Sequence, residues 1–595
     1  MSRIDLVLLH PPSVYDFRRK SILYGPVSDL IPSSPVFEMY PLGFLTITSY
    51  LEARGLKVRV INLALRMMND PGFDVPAFLA RQRPRAFGID LHWLPHAHGS
   101  LAIAALAKAA HPEIPVIFGG YSASYFHEEL IGYPQVDFVL RGDGVEAPLY
   151  DLMRHLDEPV QLRRVANLTW KDQGEIRVNP LSCVPENYDY VDIDPVRMMR
   201  MVLRHRDLQS VLPFNGWWKN PITAVFTVKG CKHQCQTCGG SGTAGECTVS
   251  RRRPAYRSPR NLVKNIVDIS RISRGPIFLV GDLLQPGVDA ANETLDLLAA
   301  QRLRNELVFE FFGMPPHDFL QRIDRSVRNW SLELSPESHD EAIRRRQDHT
   351  VFYKNVEMEE TITRALELRC HRIDIFFMIG LAGQSVCSVD DSISYCEELF
   401  SRFDRRLSCF ISPMGPFLDP GSRVFEDPAA SGYRLFARTL EEHRQRLLRP
   451  SWRQILNYET DCMTRDDLVE ATYAAAGRLN ELKLRYGRIG RRRARAVGEH
   501  IARARELEGR LISMQGGQLD ALTSSLLQGE INRFSVSTVC DKRELFWRRH
   551  LLNFRWGGIL RELLKESFKP YRGRHREPDR LAGAVRSESD CSVQE

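Results

Sequence analysis

The sequence predicts an α/β protein in three parts: a doubly wound, Rossmann-like parallel sheet, a partial (β/α)6 barrel, and a helical C-terminal region. Three observations lead there. Apolar runs of strand length alternate with helical patterns through the first 155 or so residues. The alternation lapses over residues 156–220 and resumes at Ile222, and after about residue 425 the pattern turns helical and strongly basic. A chain of 595 residues also exceeds one ordinary core and divides naturally into such parts.

In the first part, strand-length apolar runs fall at residues 4–10, 56–62, 86–90, 116–119 and 138–141, with helical patterns such as 42–53 and 100–110 between them. Five such units predict an open parallel sheet whose ligands bind at the carboxyl ends of the strands. Residues 166–170 and 176–178, around a turn at Lys171–Gly174, read as a hairpin; an irregular linker ends in the aromatic segment 214–218. Candidate barrel strands follow at 222–228, 277–280, 308–312, 330–334, 373–379 and 409–412. Six units are too few for a full barrel, but the site is again expected at the carboxyl ends. The expected divisions are 1–155, 156–220, 221–425, 426–570 and a disordered polar tail, 571–595.

Hydrophobic residues at 43% and charged residues at 26% describe a globular chain, and a net charge of +7 is modest for its size. Without a signal segment or spanning apolar stretch, a cytoplasmic location is expected. The 12 cysteines then read as ligands or buried small residues and not as disulfides. The first of them is Cys183, so the first part carries no thiol.

Three cysteines stand together in Gly230-Cys231-Lys232-His233-Gln234-Cys235-Gln236-Thr237-Cys238-Gly239, directly after a candidate barrel strand. With three and then two residues between them, one loop can wrap three thiolates around one face of a four-iron cubane and leave one iron open. An open metal position admits inner-sphere chemistry. A zinc site completed by His233 or Cys247 is the alternative.

This loop resembles that of the radical S-adenosylmethionine superfamily, whose CxxxCxxC segment follows the first barrel strand. Thr237 stands where many members carry an aromatic residue. The resemblance spans roughly residues 220–425 and implies roles downstream. Gly281 and Asp282 would bind the methionine amino group, with Asp in place of the usual Glu. Glu333 and Ser335, two apart on one strand and so on one face, would meet the ribose hydroxyls. Arg344 or Arg345 would hold the methionine carboxylate. The strand and loop ending Gly380-Leu381-Ala382-Gly383-Gln384 would lie near adenine.

The first part resembles the cobalamin-binding domain that precedes the barrel in one large class of these enzymes. The resembling stretches are His10-Pro11-Pro12, Tyr40-Pro41-Leu42-Gly43, Gly119-Gly120-Tyr121-Ser122 and Arg141-Gly142-Asp143-Gly144-Val145-Glu146. Pro11, Pro12, Tyr40, Leu42, Gly43, Gly119, Gly120, Ser122, Gly142, Gly144 and Glu146 are therefore the expected cobalamin contacts; generic glycine turns are the alternative. A DxHxxG cobalt-ligand loop is not assigned at Asp90-Leu91-His92, because the glycine is missing and the segment follows the third strand. His92, His96 and His98 either line the cavity or are solvated loop histidines.

The resemblance implies an enzyme that cleaves S-adenosylmethionine reductively to a 5′-deoxyadenosyl radical and modifies an unactivated carbon, foremost by methyl transfer. Radical cyclisation or rearrangement, as in the anaerobic porphyrin ester cyclase or lipid ring formation, is the alternative; a cobalamin or cluster sensor is a third. The implied cofactors are a 4Fe–4S cluster, S-adenosylmethionine and cobalamin. The implied partners are a small-molecule or lipid substrate and an electron donor such as flavodoxin or ferredoxin. Nucleic acid is not expected, since the thiol-free first part excludes the second cluster of the methylthiotransferases that act on tRNA. Residues 546–568 repeat apolar residues at three and four with basic ones between, an interfacial helix touching a membrane or a helix packed on the barrel, with Gly557-Gly558 opposing continuity.

Overall fold

The computed structural model of the protein describes residues 3–20, 22–26, 30–348, 351–513, 529–531, 539–546 and 553–567. The tail from 571 onward, read as disordered, lies outside them.

The first sheet contains β1 (Leu6–His10), β2 (Val58–Asn62), β3 (Ala86–Asp90), β4 (Val116–Gly119), β5 (Phe138–Leu140), β6 (Leu168–Asp172) and β7 (Glu175–Val178), in the order β2-β1-β3-β4-β5-β6-β7. The first five are parallel. Their period of two divides two cores: Val7, Leu9, Phe87, Ile89 and Phe118 enter one cluster, and Leu6, Leu8, Val58, Val60 and Ile117 enter the other. The predicted hairpin is β6–β7, and it extends this same sheet by antiparallel pairing on β5. The order places the topological switch between β1 and β3, where such sheets hold their ligands.

The second sheet contains β8 (Thr223–Phe226), β9 (Ile277–Val280), β10 (Leu307–Phe311), β11 (Trp330–Glu337), β12 (Cys370–Ile379) and β13 (Leu407–Pro413), all parallel, in the order β13-β12-β11-β10-β9-β8. Leu332, Leu334, Ile373, Ile375, Cys409 and Ile411 are buried in the core. The alternate positions form a polar row in register across four strands: Glu310, Glu333, Asp374 and Ser408.

Six strands leave two unpaired edges, β8 and β13; C-terminal residues cover the second and pack on the segments that flank the first. Cys540 and Leu545 pack on Phe410 of β13. Lys483 and Glu544, 3% and 7% exposed, form a 2.8 Å ion pair beside them, with Lys483 Nζ 4.1 Å above the Phe410 ring. At the other edge, Phe554 bridges Ser273 and stacks on Trp218 at 4.4 Å. Within the apolar and basic pattern over 546–568 the described helix is Trp556–Ser567, and Gly557-Gly558 lie inside it. Gly558 sits inside it because a Cβ there would lie 2.1 Å from the Arg271 carbonyl oxygen, so the glycine permits close approach to the helix Pro259–Ile272. Among the described residues no helix is long and apolar enough to cross a membrane.

Candidate functional site

The cysteine loop leaves the end of β8 through Gly230, whose φ of +75° and approach to Arg251 (2.4 Å from a Cβ to Cδ) admit no side chain. Cys231 Sγ accepts the His233 amide at 3.4 Å and Gln285 Nε2 at 3.6 Å; Cys238 Sγ accepts the Gly240 amide at 3.3 Å. Such donors favour the thiolate. The loop is clamped from outside. Gln236 N donates to Gln347 O at 3.2 Å, Val424 N to Gln236 O at 3.1 Å, and Gly239 N to Asp419 at 3.0 Å.

All three thiols are free and retain exposed surface. Desolvation by the surrounding protein, with the Asp419 carboxylate next, pushes Cys238 up to about 12; burial also raises Cys231. A thiolate here needs a cation beside it, which an iron atom supplies. Among the described residues no three His, Cys, Asp or Glu side chains converge on one point as a mononuclear site requires. His233 is buried edge-on against Phe312, and Cys247 is exposed on the helix Gly242–Val249. The donor set fits a cluster that takes each thiolate on a different iron.

At the end of β9, Gly281 has φ +95° and donates its amide to Glu310 Oε2 at 3.1 Å. Asp282 accepts the Leu284 and Phe312 amides at 2.8 and 3.3 Å. Three residues on from Asp282, Gln285 carries no signal in the sequence. Its side-chain amide reaches Cys231, its carbonyl accepts Lys232 Nζ at 3.4 Å and the Tyr256 hydroxyl at 3.3 Å, and its Oε1 is buried with no partner. An orphaned acceptor beside the cysteine loop suits a bound donor such as an ammonium group.

Glu333 is pushed up to about 8, first by burial, then by the Asp374 and Glu310 carboxylates, against the opposing charge of Arg372. Its folded-state value lies above the ordinary 4.5, so folding favours the acid form and stability falls as pH rises from about 4.5 to about 8. Above that window the loss is complete. Glu333→Gln in the ligand-free chain is expected to remove this dependence and to exceed the wild type in urea resistance at about pH 9 but not at about pH 5. Equal denaturation profiles for both proteins at both pH values would refute it.

Ser335 is exposed on the same strand face as Glu333. Arg344 is placed otherwise than on this row: it is 4% exposed, donates to Asn355 at 2.7 Å and lies 5.0 Å from the Tyr353 ring, with Nε and Nη1 unpaired. Arg345 stacks on Phe352 at 4.3 Å. Gly380, at φ +103°, donates to Gln384 Oε1 at 2.8 Å, and its carbonyl accepts the Tyr433 hydroxyl at 3.0 Å.

At the switch of the first sheet, His10 Nδ1 meets Asp90 Oδ1 at 3.0 Å, and the carbonyl of Phe37 bonds both His10 Nε2 and His96 Nε2 at 2.9 Å. His98 Nδ1 accepts the Tyr15 amide at 3.3 Å. His96 and His98 are buried, and burial lowers both to about 4, so neither is a solvated loop histidine. His92 is half-buried against Trp93 and Tyr121. Its carbonyl accepts the amide and hydroxyl of Ser122, at 3.2 and 3.1 Å. Gly120 (φ +118°) passes so close that a Cβ would lie 2.6 Å from His92 N. Pro11 and Pro12 are buried, and Gly119 ends β4. Tyr40 donates to Val211 O at 2.7 Å, whereas Leu42 caps the helix Gly43–Glu52, and Gly43 opens it with free space around its Cα.

The loop after β5 turns toward the barrel. Gly142 donates to Ser124 Oγ at 2.9 Å, and a Cβ on Gly144 would lie 2.8 Å from both Pro185 Cδ and the Tyr190 hydroxyl. Glu146 is buried and accepts Thr46 Oγ1 at 2.8 Å and the Tyr190 hydroxyl at 3.1 Å, with Lys229 Nζ at 3.7 Å. Lys229 also donates to Asp143 O, and Arg251 holds the Asp143 carboxylate at 2.8 Å. Asp143 and Glu146 thus join the first sheet to the segment that carries Cys231, while Gly144 makes room for Pro185 and Tyr190.

The B12 binding domain family matches residues 30–149. Among characterised proteins the chain is 24% identical over 42% of its length to the anaerobic magnesium-protoporphyrin IX monomethyl ester cyclase of Synechocystis (46% of that protein). It is 23% identical over 51% of its length to the hopanoid C-3 methylase of Methylococcus capsulatus (53% of that protein). The chain spans about half the length of these relatives. Among solved structures it resembles the radical S-adenosylmethionine methyltransferase TsrM of Kitasatospora setae, solved with cobalamin and a 4Fe–4S cluster: TM-score 0.56, 15% identity, 81% of this chain and 89% of that one. The cobalamin-dependent S-adenosylmethionine radical enzyme OxsB gives TM-score 0.52 and 13% identity over 95% of this chain and 80% of that one. The fold resembles that of TsrM and OxsB, with the part that matches the B12 binding domain family followed by a six-stranded parallel sheet.

Proposed function

We propose that this chain is a cobalamin-dependent radical S-adenosylmethionine enzyme that modifies an unactivated carbon of a small molecule or lipid by methyl transfer. The observation that carries the reading is the amide-lined loop of Cys231, Cys235 and Cys238, tied through Lys229 and Arg251 to the B12 binding domain. When bound, the cluster, S-adenosylmethionine and cobalamin supply one-electron cleavage to a 5′-deoxyadenosyl radical and a transferable methyl group.

The chain's own residues position and shield these groups. Cys231, Cys235 and Cys238 would hold three irons, with Gln285 and the His233 and Gly240 amides bonded to two of the sulfurs. The Gly281 turn, Asp282 and Gln285 Oε1 would receive the methionine ammonium, and Glu333 and Ser335 the ribose. Leu42, Gly43, Gly119, Gly120 and Ser122 would border the macrocycle. The Glu544–Lys483 pair and the stack on Phe410 shield the β13 edge, which limits access of water to the barrel. An electron donor of the flavodoxin or ferredoxin kind is required by the reaction.

Cyclisation is the second reading, favoured by the likeness to the Synechocystis cyclase. A non-catalytic sensor is set aside, because these relatives are enzymes. The test is anaerobic incubation of the cofactor-loaded chain with reductant and S-adenosylmethionine. Methyl transfer predicts both S-adenosylhomocysteine and 5′-deoxyadenosine; cyclisation predicts 5′-deoxyadenosine alone. Formation of neither sinks both.

A further inference from the structure

At the base of the barrel, opposite the cysteine loop, lies a cavity of about 440 Å3 lined by Arg302, Arg304, Arg325, Arg328 and Arg369. Arg369 pairs with Asp324 at 3.1 Å; the other four form no ion pair among the described residues. Of the acids beside it, Asp296 pairs with Arg322 at 2.7 Å and Glu306 accepts the Ser331 hydroxyl. Like charges gathered without counter-ions around a hollow repel one another, and an anion with several oxygens relieves that repulsion.

This basic rim continues into an apolar one. Asn305, next to Arg304, donates to Ser273 O at 3.0 Å and Gly275 O at 2.7 Å, and Ser273 bridges Phe554. Burial and the charges of Arg274 and Arg304 lower Arg555. One residue further the helix Trp556–Ser567 begins. It presents Trp556, Leu560 and Leu564, 56%, 59% and 49% exposed, at intervals of four and hence on one stripe. Trp218, 41% exposed, stands 6.0 Å from Trp556. The adjacent helix Pro195–His205 leaves Leu203 at 62% exposure. Glu562, on the first of these helices, is itself engaged.

We propose that this face docks on an anionic phospholipid bilayer, with lipid phosphates at the arginine cavity and the Trp556–Leu560–Leu564 stripe at the headgroup boundary. Charge complementarity selects the occupant. Unpaired arginines match phosphate oxygens, whereas tryptophan and leucine beside them suit a surface that is polar above and apolar below. The reaction proposed above does not depend on this surface, so the two stand or fall separately.

The test is co-sedimentation of the full chain with vesicles of phosphatidylcholine alone and of phosphatidylcholine with phosphatidylglycerol. Binding at least about tenfold tighter to the anionic vesicles is expected, weakening between about 0.1 and about 0.5 M salt. R325E/R328E is expected to lose at least about tenfold of that binding, since each basic residue near such a surface contributes about fivefold. W556S/L560S is expected to lose affinity at both salt concentrations. All these side chains are exposed, so unchanged circular dichroism is expected alongside. Equal or absent binding to the two vesicle types, or wild-type binding by both variants, overturns the proposal. So does tight binding of inorganic pyrophosphate by a chain that ignores vesicles, which would make the cavity a site for a free anion.

Discussion

Cys235→Ala is expected to abolish 5′-deoxyadenosine formation from S-adenosylmethionine, by at least about a hundredfold, the scale on which even an outer partner of a metal site is felt. The loss should come without unfolding. Cys235 is only half-buried, and the loop around it is fixed by Gln347, Val424 and Asp419 through backbone groups that the substitution leaves intact. Its melting temperature before reconstitution should therefore match the wild type. Product assay by chromatography, with iron counted per chain, checks both parts. Full turnover by the variant would remove this cysteine from the ligand set.

The second large effect concerns Gly99→Ala. Gly99 lies in the first turn of the helix Ala97–Ala110, and its amide donates to Ser13 O at 3.1 Å. A Cβ there would lie 1.7 Å from Pro12 O and 2.9 Å from Pro12 C. Backbone atoms cannot yield as a flexible side-chain end can, so the loop after β1 must move. Overpacking of this kind costs about 3 kcal/mol. The loop in question borders the β1/β3 switch, so cobalamin retention should fall with stability. Gly477→Ala, in the helix Arg465–Arg485, is the control: nothing lies within 4 Å of its Cβ, and stability should hold or rise by about 0.5 kcal/mol. Urea denaturation with and without hydroxocobalamin measures both. A Gly99→Ala protein as stable as Gly477→Ala would refute this view of the switch.

The parallel strands were legible because strands buried on both faces read as apolar runs. Ala86–Asp90, Val116–Gly119 and Ile277–Val280 fall where those runs predict them. The cysteine loop was legible because its spacing is local. What stayed hidden depends on contacts far apart in sequence. Glycines at strand ends suggested a ligand surface, yet Gly144 accommodates Pro185 and Tyr190, and Glu146 serves Thr46 and Tyr190. The spacing that placed Arg344 after β11 could not show that its guanidinium turns to Asn355. Gln285, Gln347 and Asp419 carry no local signal, since an amide or carboxylate after a strand has many uses. That Cys540 and Leu545 pack on Phe410, and Phe554 on Trp218, required the folded shape itself.

The central claim is that three thiolates hold a cluster with one iron open to S-adenosylmethionine. The most direct test is electron paramagnetic resonance of the anaerobically reconstituted, reduced chain, recorded before and after S-adenosylmethionine is added. A 4Fe–4S signal that changes on addition, and that is missing in the Cys231, Cys235 and Cys238 triple alanine variant while cobalamin is retained, is the predicted result. A signal indifferent to S-adenosylmethionine, or a chain that takes up zinc in place of iron, would contradict it.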